Sequence, residues 1–387
     1  MISSRGIWAI GVGQLVNWGV LYYAFGVLLV PLEAALGAPQ WLIAGAFSLA
    51  LLVSAGAAPA VGRLADRGQG PALLQAGGFA AAGLLIAWAL VPTIWMTYLA
   101  WIGLGLCMAA ILYEPVFVMV GRAFSDADER LRAIATVTIM GGLASTAFLP
   151  GTSFLVDAMG WQSTAMVLAA VIAISTGVVG RLSFRDAAFS GDAVWAAIVA
   201  GRRAQPLAPT PDLNRLVAVF SLSSVVNAAL ASNIVAALVE RGLTTSRAAA
   251  IGGVFGLMQL PGRALMTRQS FTPRPFPLLM ASFALQVIGL VALTVDSVQA
   301  ALWIGVMVFA CGAGLTTLAR PYLVLHLYGA ERAGQINSVI ARAQQLARAA
   351  GPVSAAALAS VTGHGRVFAA LAALLVVAMA TTHTRRA

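Results

Sequence analysis

The sequence predicts an all-α integral membrane protein with twelve transmembrane helices arranged as two six-helix halves. Three observations support this class. Hydrophobic residues make up 60% of the 387 positions and charged residues only 9%, the apolar runs are broken at short intervals, and no alternating strand pattern appears. Because a membrane-spanning helix needs about 20 mostly apolar residues, twelve such runs leave little chain for a soluble domain.

The spans are predicted in order along the chain. The first six lie at residues 6–31, 41–61, 72–91, 94–120, 133–156 and 162–180, and the second six at 213–238, 247–265, 276–295, 299–326, 334–358 and 364–382. The first run opens with Arg5 and lacks a small-residue cleavage site, so we expect a span rather than a signal peptide. The predicted domains are an N-terminal half at 1–180, a cytoplasmic linker at 181–212 and a C-terminal half at 213–387.

The formal net charge of +10 is explained by topology. If both termini are cytoplasmic, about seventeen of the arginines lie on the inner side and only Arg241, Arg247 and Arg366 face outward, which is the bias that the positive-inside rule describes. We therefore expect a multi-pass protein of the cell (inner) membrane with cytoplasmic termini. Nucleic-acid binding is not needed to account for the charge.

The two halves repeat each other in sequence. Matching pairs occupy corresponding spans of the two halves: Gly62-Arg63 with Gly262-Arg263, and Glu114-Pro115 with Arg320-Pro321. Parallel six-helix repeats with a binding site near the membrane midplane are a known transporter architecture. The repeat therefore favours transport over a receptor or a membrane-embedded enzyme, for which neither a sensor domain nor a catalytic constellation is visible.

The stretch Val61–Gly68 resembles the loop motif of the major facilitator superfamily. In that motif a glycine allows close helix packing, an aspartate ends a helix and basic residues follow. Gly62, Asp66 and Arg67 match these positions, whereas Gln69, Gly70 and Pro71 replace the later glycine and paired basic residues. The resemblance implies the major facilitator fold and secondary transport by alternating access. A fainter similarity to monocarboxylate carriers lies in Tyr22–Val27.

Charged residues inside spans are costly, so they mark candidate functional positions. Span eleven carries Arg342, Gln345 and Arg348, and an arginine at the bilayer centre costs about 2.5–3.5 kcal/mol on insertion scales. These side chains are interpreted as a clamp for an anionic substrate. The alternative is an arginine bound to backbone carbonyls or paired with an acid of the other half.

Two further charges have two interpretations each. Arg320 precedes Pro321, which is expected to kink span ten, so it is either a gating residue or an arginine at the inner membrane surface. Glu114 is either a proton carrier or a structural ion-pair partner. Asn17, Tyr22, Tyr23 and Asn227 are candidate substrate-binding residues, and interhelical hydrogen bonding is an equal alternative for the amides.

We therefore expect a proton-coupled secondary transporter of a small organic anion, with a monocarboxylate as first candidate. The alternative is a proton-driven exporter of drugs or amphiphilic metabolites. With either function, the partners of this protein would be its small-molecule substrate, protons and the lipid bilayer. We expect a monomer without a cofactor, because no phosphate-binding loop, His-Glu-x-x-His motif or cysteine pair appears.

Overall fold

The structure, a computed structural model, describes residues 4–124, 127–183, 210–261, 274–295 and 299–383. All secondary structure within these ranges is helical, as the long apolar runs predict. Most of the predicted linker lies outside the described residues, and so does the end of predicted span eight, residues 262–265.

The helices of spans one to six follow the predicted order. They are α1 (Ser4–Trp18), α2 (Ala24–Leu36), α3 (Gln40–Leu64), α4 (Gly70–Leu90), α5 (Ile94–Ile111), α6 (Tyr113–Ala123), α7 (Ala127–Gly142) and α8 (Ala144–Ser183). Two π-helical segments, Gly19–Tyr23 and Ala65–Gln69, join α1 to α2 and α3 to α4. Span one thus contains α1 and α2, span four contains α5 and α6, and α8 contains the end of span five and all of span six.

The helices of spans seven to twelve also follow the predicted order. They are α9 (Pro211–Glu240), α10 (Thr245–Met258), α11 (Pro275–Ala292), α12 (Gln299–Arg348), α13 (Ala350–Thr362) and α14 (His364–His383). Span ten and the first part of span eleven both lie in α12, and α13 completes span eleven.

Two glycines separate spans that would otherwise be continuous helix. Gly160 in α8 has a φ of 78° and Gly329 in α12 has a φ of 70°, a left-handed conformation that glycine adopts without a Cβ penalty. These positions lie between predicted spans five and six and between spans ten and eleven. The helical course therefore confirms the predicted twelve-span fold class.

Eight helical segments within the described residues are long and apolar enough to cross a membrane. Two of them, Gln40–Leu90 and Arg132–Ser183, each hold two predicted spans. Spans eight and eleven are absent from this set; the helix of span eight, α10, has 14 residues.

Span four is broken where the sequence predicts one continuous helix. Leu112 has φ −79° and ψ −165°, which is extended backbone. Pro115 explains the break, since proline has no N–H to donate and its ring crowds the carbonyl four residues earlier, that of Ile111. Span ten, by contrast, keeps helical dihedrals through Pro321, and the non-helical residue of α12 is Gly329. The expected kink at Pro321 is therefore not a break in the helix.

The chain forms two compact units. The first comprises Met1–Ala38 and Leu49–Gln205, and the second comprises Pro39–Ser48 and Pro206–Ala387. The start of α3 thus belongs to the second unit, where the Val353 N–H donates to Ser48 Oγ at 3.1 Å.

Close helix packing repeats at corresponding places in the two units. A Cβ on Gly105 would lie 2.4 Å from the carbonyl oxygen of Ala50, and one on Gly314 would lie 2.5 Å from that of Gln259. The first pair joins spans four and two, and the second joins spans ten and eight. The sequence repeat therefore has a counterpart in the packing inside each unit.

Candidate functional site

The candidate anion clamp lies on α12 in the second unit. Arg342 is exposed, and Gln345 and Arg348 are half-buried. Positions spaced by three residues are neighbours on a helix surface, so the three side chains follow one ridge. Within the described part of the chain, neither the Arg342 nor the Arg348 guanidinium has a hydrogen bond or salt bridge to a protein group. Both arginines therefore keep their donors for a ligand or for water.

Arg348 is the last residue of α12, directly before the interruption at Ala349. The chain after this interruption packs closely on α9: a Cβ on Gly351 would lie 2.6 Å from the carbonyl oxygen of Val225. Asn233 Nδ2 donates to the carbonyl of Pro352 at 3.3 Å. These contacts fix the backbone beside Arg348, whose guanidinium has no hydrogen-bond or salt-bridge partner among the described residues. A guanidinium held on a fixed backbone in this way is suited to binding an anion.

Arg320 is held by a side chain of span eleven. Its Nη1 donates to Oε1 of Gln344, and Gln344 Nε2 donates to the carbonyl of Phe220 on α9 at 3.3 Å. The Phe220 carbonyl orients the Gln344 side chain, because only the NH₂ group of that side chain can donate to it. The Gln344 oxygen is therefore directed toward Arg320. Spans seven, ten and eleven are thereby linked through one glutamine.

Asn227 belongs to a polar network inside the second unit. Its Nδ2 donates to Gln286 Oε1 at 3.2 Å, and Gln286 Nε2 donates to Thr316 Oγ1 at 2.8 Å. Thr316 Oγ1 in turn donates to Ser282 Oγ at 3.1 Å. The network connects spans seven, nine and ten, so the Asn227 amide takes part in interhelical hydrogen bonding, which the sequence left as the alternative to substrate binding.

Asn17 is hydrogen-bonded to the backbone at the break in span four. Gln14 Nε2 donates to the freed Ile111 carbonyl at 2.7 Å, and Asn17 Nδ2 donates to the same oxygen at 3.1 Å. Both amides are buried, with exposures of 1% and 7%. Side chains of neighbouring helices commonly satisfy carbonyls that proline frees inside a membrane. Here too the amide serves interhelical bonding.

An aromatic cluster surrounds this break in the first unit. The rings of Trp18 and Tyr22 lie 5.3 Å apart, those of Trp18 and Tyr113 lie 4.9 Å apart, and Tyr113 stacks on Phe117 at 5.2 Å. Tyr23 contacts Tyr22 edge-on at 5.2 Å. Tyr22 is buried, whereas the other four rings are half-buried and offer apolar faces with polar edges.

Glu114 lies in the first turn of α6 and is exposed. The free N–H groups of a helix N-terminus stabilise an anionic side chain in that turn. The break in span four therefore gives Glu114 an electrostatic environment that an unbroken helix would not.

The loop motif Val61–Gly68 spans the end of α3 and the π-helical segment Ala65–Gln69. Asp66 is half-buried and Arg67 is exposed. Apart from its own helix backbone, no described atom lies within 4 Å of a Cβ built on Gly62, whereas a Cβ on Gly70 would lie 2.4 Å from Met119 Cγ. The close approach that the resemblance implies for Gly62 is therefore made in this structure by Gly70.

The predicted site residues fall into separate groups. In the second unit, Arg342, Gln345 and Arg348 share a ridge, and Arg320 is joined to the same helix through Gln344 rather than through Gln345. In the first unit, Asn17, Tyr22 and Tyr23 lie on or beside α1. Gln286 was missed because a single glutamine in an apolar span gives no indication of its partners. Within the described ranges, no cluster of three His, Cys, Asp or Glu could hold a metal ion.

Comparison with known proteins places these features in a family. The family model of the Major Facilitator Superfamily matches residues 8–352. No functionally curated protein sequence matches the chain.

Several solved structures have a similar fold. The human organic anion transporter MFSD10 (TETRAN) has a TM-score of 0.68 at 15% identity, covering 97% of this chain and 98% of that one. A bacterial homologue of the human lysosomal transporter Spinster, inward-facing and occupied, has a TM-score of 0.74 at 15% identity, covering 97% and 95%. A variant of the peptide transporter POT with bound alafosfalin has a TM-score of 0.73 at 13% identity, covering 98% and 94%.

Proposed function

Because the chain belongs to the Major Facilitator Superfamily and is a multi-pass membrane carrier rather than an enzyme, we propose that it transports a small organic anion. A monocarboxylate is the first candidate substrate, and transport is proton-coupled and proceeds by alternating access. The residues assigned to the anion are Arg348, Arg342 and Gln345.

The observation that carries this proposal is that Arg348 has no hydrogen-bond or salt-bridge partner in the part of the chain that the structure describes. A half-buried arginine inside a span costs about 2.5–3.5 kcal/mol on insertion scales, and the described protein groups do not offset this cost with an acceptor. A substrate carboxylate would offset it through charge-assisted hydrogen bonds, which guanidinium can form in bidentate geometry. Arg342 adds a second cation on the same ridge, and it too has no partner among the described protein groups.

The charge balance inside the spans supports an anionic substrate. The charges predicted to lie well inside the membrane, away from the span ends, are Arg320, Arg342 and Arg348 against Glu114. A cationic substrate would add to this excess of positive charge and be repelled by it, whereas an anion would reduce it. One solved structure of similar fold is of an organic anion transporter; at 15% identity this suggests a substrate class to test and nothing finer.

We assign proton coupling to Glu114. It lies in the first turn of α6 and its side chain is exposed, so protons can reach the carboxylate. Glu114→Gln mimics the protonated state, so we expect loss of proton-driven accumulation with retention of substrate exchange. If Glu114 is instead a structural partner, the variant would lose exchange and accumulation together.

The orientation of the protein in the membrane follows from its loop charges. We propose a monomer in the cell (inner) membrane with cytoplasmic termini, following the distribution of arginines in the loops. Single cysteines placed beside Arg241 and beside Arg67 in a variant lacking Cys107 and Cys311 test this. An impermeant thiol reagent added to intact cells should label the Arg241 position only, and labelling of the Arg67 position instead would reverse the topology.

The binding experiment uses the purified protein and a panel of small carboxylates, phosphate esters and organic cations, read out as thermal stability. A ligand that binds only the folded protein stabilises it by about 2.7 kcal/mol at one hundred times its dissociation constant. Stabilisation by a carboxylate supports the proposal. Stabilisation by organic cations alone would overturn it.

A second candidate function is favoured by the aromatic cluster of Trp18, Tyr22, Tyr23, Tyr113 and Phe117. Half-buried aromatic rings bind the apolar parts of amphiphilic molecules. A proton-driven exporter of drugs or amphiphilic metabolites would therefore rely on this cluster rather than on Arg348. In the same panel, stabilisation by neutral amphiphiles that Trp18→Ala abolishes and Arg348→Ala leaves unchanged would favour the exporter.

A further inference from the structure

Asn227 lies close to the middle of span seven, within α9 (Pro211–Glu240), and is half-buried. Secondary transporters built from such repeats bind their substrates near the membrane midplane. A polar side chain at that depth is costly against lipid, so we expect the accessible part of Asn227 to face a water-filled space. What this side chain offers to a substrate depends on which of its polar atoms the protein already uses.

The NH₂ group of Asn227 is fully engaged inside the second unit. It carries two hydrogens, and Nδ2 donates to the carbonyl of Ser223 at 2.8 Å and to Oε1 of Gln286 at 3.2 Å. A longer contact of 3.4 Å joins Nδ2 to Ser223 Oγ. All these acceptors belong to the protein, so no hydrogen of this amide is left for a substrate.

Two backbone carbonyls fix the orientation of this amide network. A carbonyl only accepts, so the NH₂ group of Asn227 must face that of Ser223. For the same reason the NH₂ group of Gln286 faces the Ser282 carbonyl, at 3.2 Å. Gln286 Nε2 also donates to Thr316 Oγ1 at 2.8 Å, which leaves Gln286 Oε1 to accept from Asn227. Neither amide can therefore turn over without losing hydrogen bonds.

Oδ1 is the polar atom of Asn227 that remains for a ligand. Within the described residues it accepts no hydrogen bond, and it keeps accessible surface. Asn233 on the same helix is the contrast, because it is 2% exposed and its Oδ1 is buried. An amide oxygen can only accept hydrogen bonds. Asn227 can therefore bind a hydroxyl or an ammonium group, but not a carboxylate.

Contacts between spans seven and eleven place Asn227 near the level of Arg348. Before Arg348 in the chain, Gln344 donates to the Phe220 carbonyl. Three residues after Arg348, a glycine packs against the Val225 carbonyl, so the arginine lies between these two levels of α9. At 1.5 Å per residue, Asn227 is then about 3–10 Å further along the helix axis. One small molecule can bridge this axial separation.

We propose that Asn227 Oδ1 selects substrates that carry a hydroxyl group, so that the transported anion is a hydroxycarboxylate. This inference rests on the proposed function, in which Arg348 and Arg342 bind the carboxylate. A hydroxyl group is favoured over an ammonium group, because a further positive charge near these arginines is repelled by them. The substrate hydroxyl donates to Oδ1, and an analogue without the hydroxyl loses that hydrogen bond.

The test measures the affinities of the purified full-length protein for propanoate, 2-hydroxypropanoate and 3-hydroxypropanoate by thermal-shift titration. One net hydrogen bond is a factor of about 2–12 in affinity, so the wild type should bind a hydroxypropanoate more tightly than propanoate by that factor. Asn227→Leu should bind the two kinds of carboxylate equally. Asn233→Leu is the matched control, since it removes a buried asparagine of the same helix, and it should keep the wild-type preference.

Two results would overturn this inference while the proposed function stands: equal affinities in the wild type, or a hydroxyl preference that Asn227→Leu retains. Tighter binding of 3-aminopropanoate than of either hydroxypropanoate would overturn it as well, since the selected group would then be an ammonium. Binding of no carboxylate at all would instead refute the proposed function together with this inference. The wild-type affinities alone can overturn the inference even if Asn227→Leu fails to fold.

Discussion

Replacing Arg348 by alanine separates anion binding from structure. Because Arg348 has no partner among the described protein groups, its removal leaves no acid unpaired and no acceptor exposed. We expect the free energy of unfolding to fall by less than about 1 kcal/mol or to rise, since a charge inside the membrane is removed.

The effect on substrate binding should be far larger. Hydrogen bonds to charged groups contribute about 1.5–3 kcal/mol, and each 1.4 kcal/mol is a tenfold change in affinity. The affinity for a carboxylate should therefore fall by about 10- to 150-fold in Arg348→Ala. The carboxylate affinity of Arg348→Lys should lie between those of the wild type and Arg348→Ala, because lysine keeps the charge but loses the bidentate geometry.

The assay is thermal unfolding across a carboxylate titration, with Arg366→Ala as the matched control. Arg366 is an exposed arginine of α14 in the same unit, so its variant should bind like the wild type. The reasoning is refuted if Arg348→Ala binds the carboxylate with wild-type affinity, or if its stability in the absence of ligand drops by several kcal/mol, as the loss of a structural ion pair would cause.

Three further predictions concern the contacts inside each unit. Asn17→Leu should lower the unfolding free energy by about 0.5–1.5 kcal/mol. The double variant with Gln14→Met should lose more than the sum of the two single variants, because the Ile111 carbonyl then loses both donors. Additive values in denaturant titrations would contradict this. Gly105→Ala should reduce the melting temperature strongly, since its Cβ would lie 2.4 Å from the Ala50 carbonyl oxygen. Gly83→Ala should not, because no described atom outside its own helix backbone lies within 4 Å of that Cβ. Equal melting temperatures would show that α5 and α3 separate easily. Gln344→Leu should slow substrate exchange by releasing Arg320. Gln344→Glu keeps the acceptor for Arg320 but loses the donor to the Phe220 carbonyl, so it should restore exchange only in part. No effect of Gln344→Leu on the exchange rate of labelled substrate would argue against a gating role.

The fold was predictable because its signals are local. Apolar runs are recognised over about 20 residues, so the fold class and the order of the spans could be predicted from the sequence. The break at Leu112 was not predicted although Pro115 was visible. Its stability depends on Gln14 and Asn17, which lie 97 and 94 positions away from Ile111 in the sequence.

The candidate site was predictable in residue type but not in partnership. Arg348 could be selected as a charge inside a span, but its lack of a protein acceptor depends on neighbours that the sequence does not reveal. Helical spacing put Gln345 beside Arg348, and the same spacing could not show that the adjacent Gln344 binds Arg320. Asn227 was selected as a polar residue, yet its network with Gln286 requires the packing of spans seven and nine.

The most direct measurement is counterflow of a labelled monocarboxylate in proteoliposomes containing the wild type or Arg348→Ala. We predict that the wild type exchanges external labelled carboxylate against an unlabelled internal pool, and that Arg348→Ala exchanges it at least tenfold more slowly at subsaturating concentration. Equal exchange by the two proteins would contradict the role of Arg348. Exchange of organic cations but of no carboxylate by the wild type would contradict the anion-carrier account as a whole.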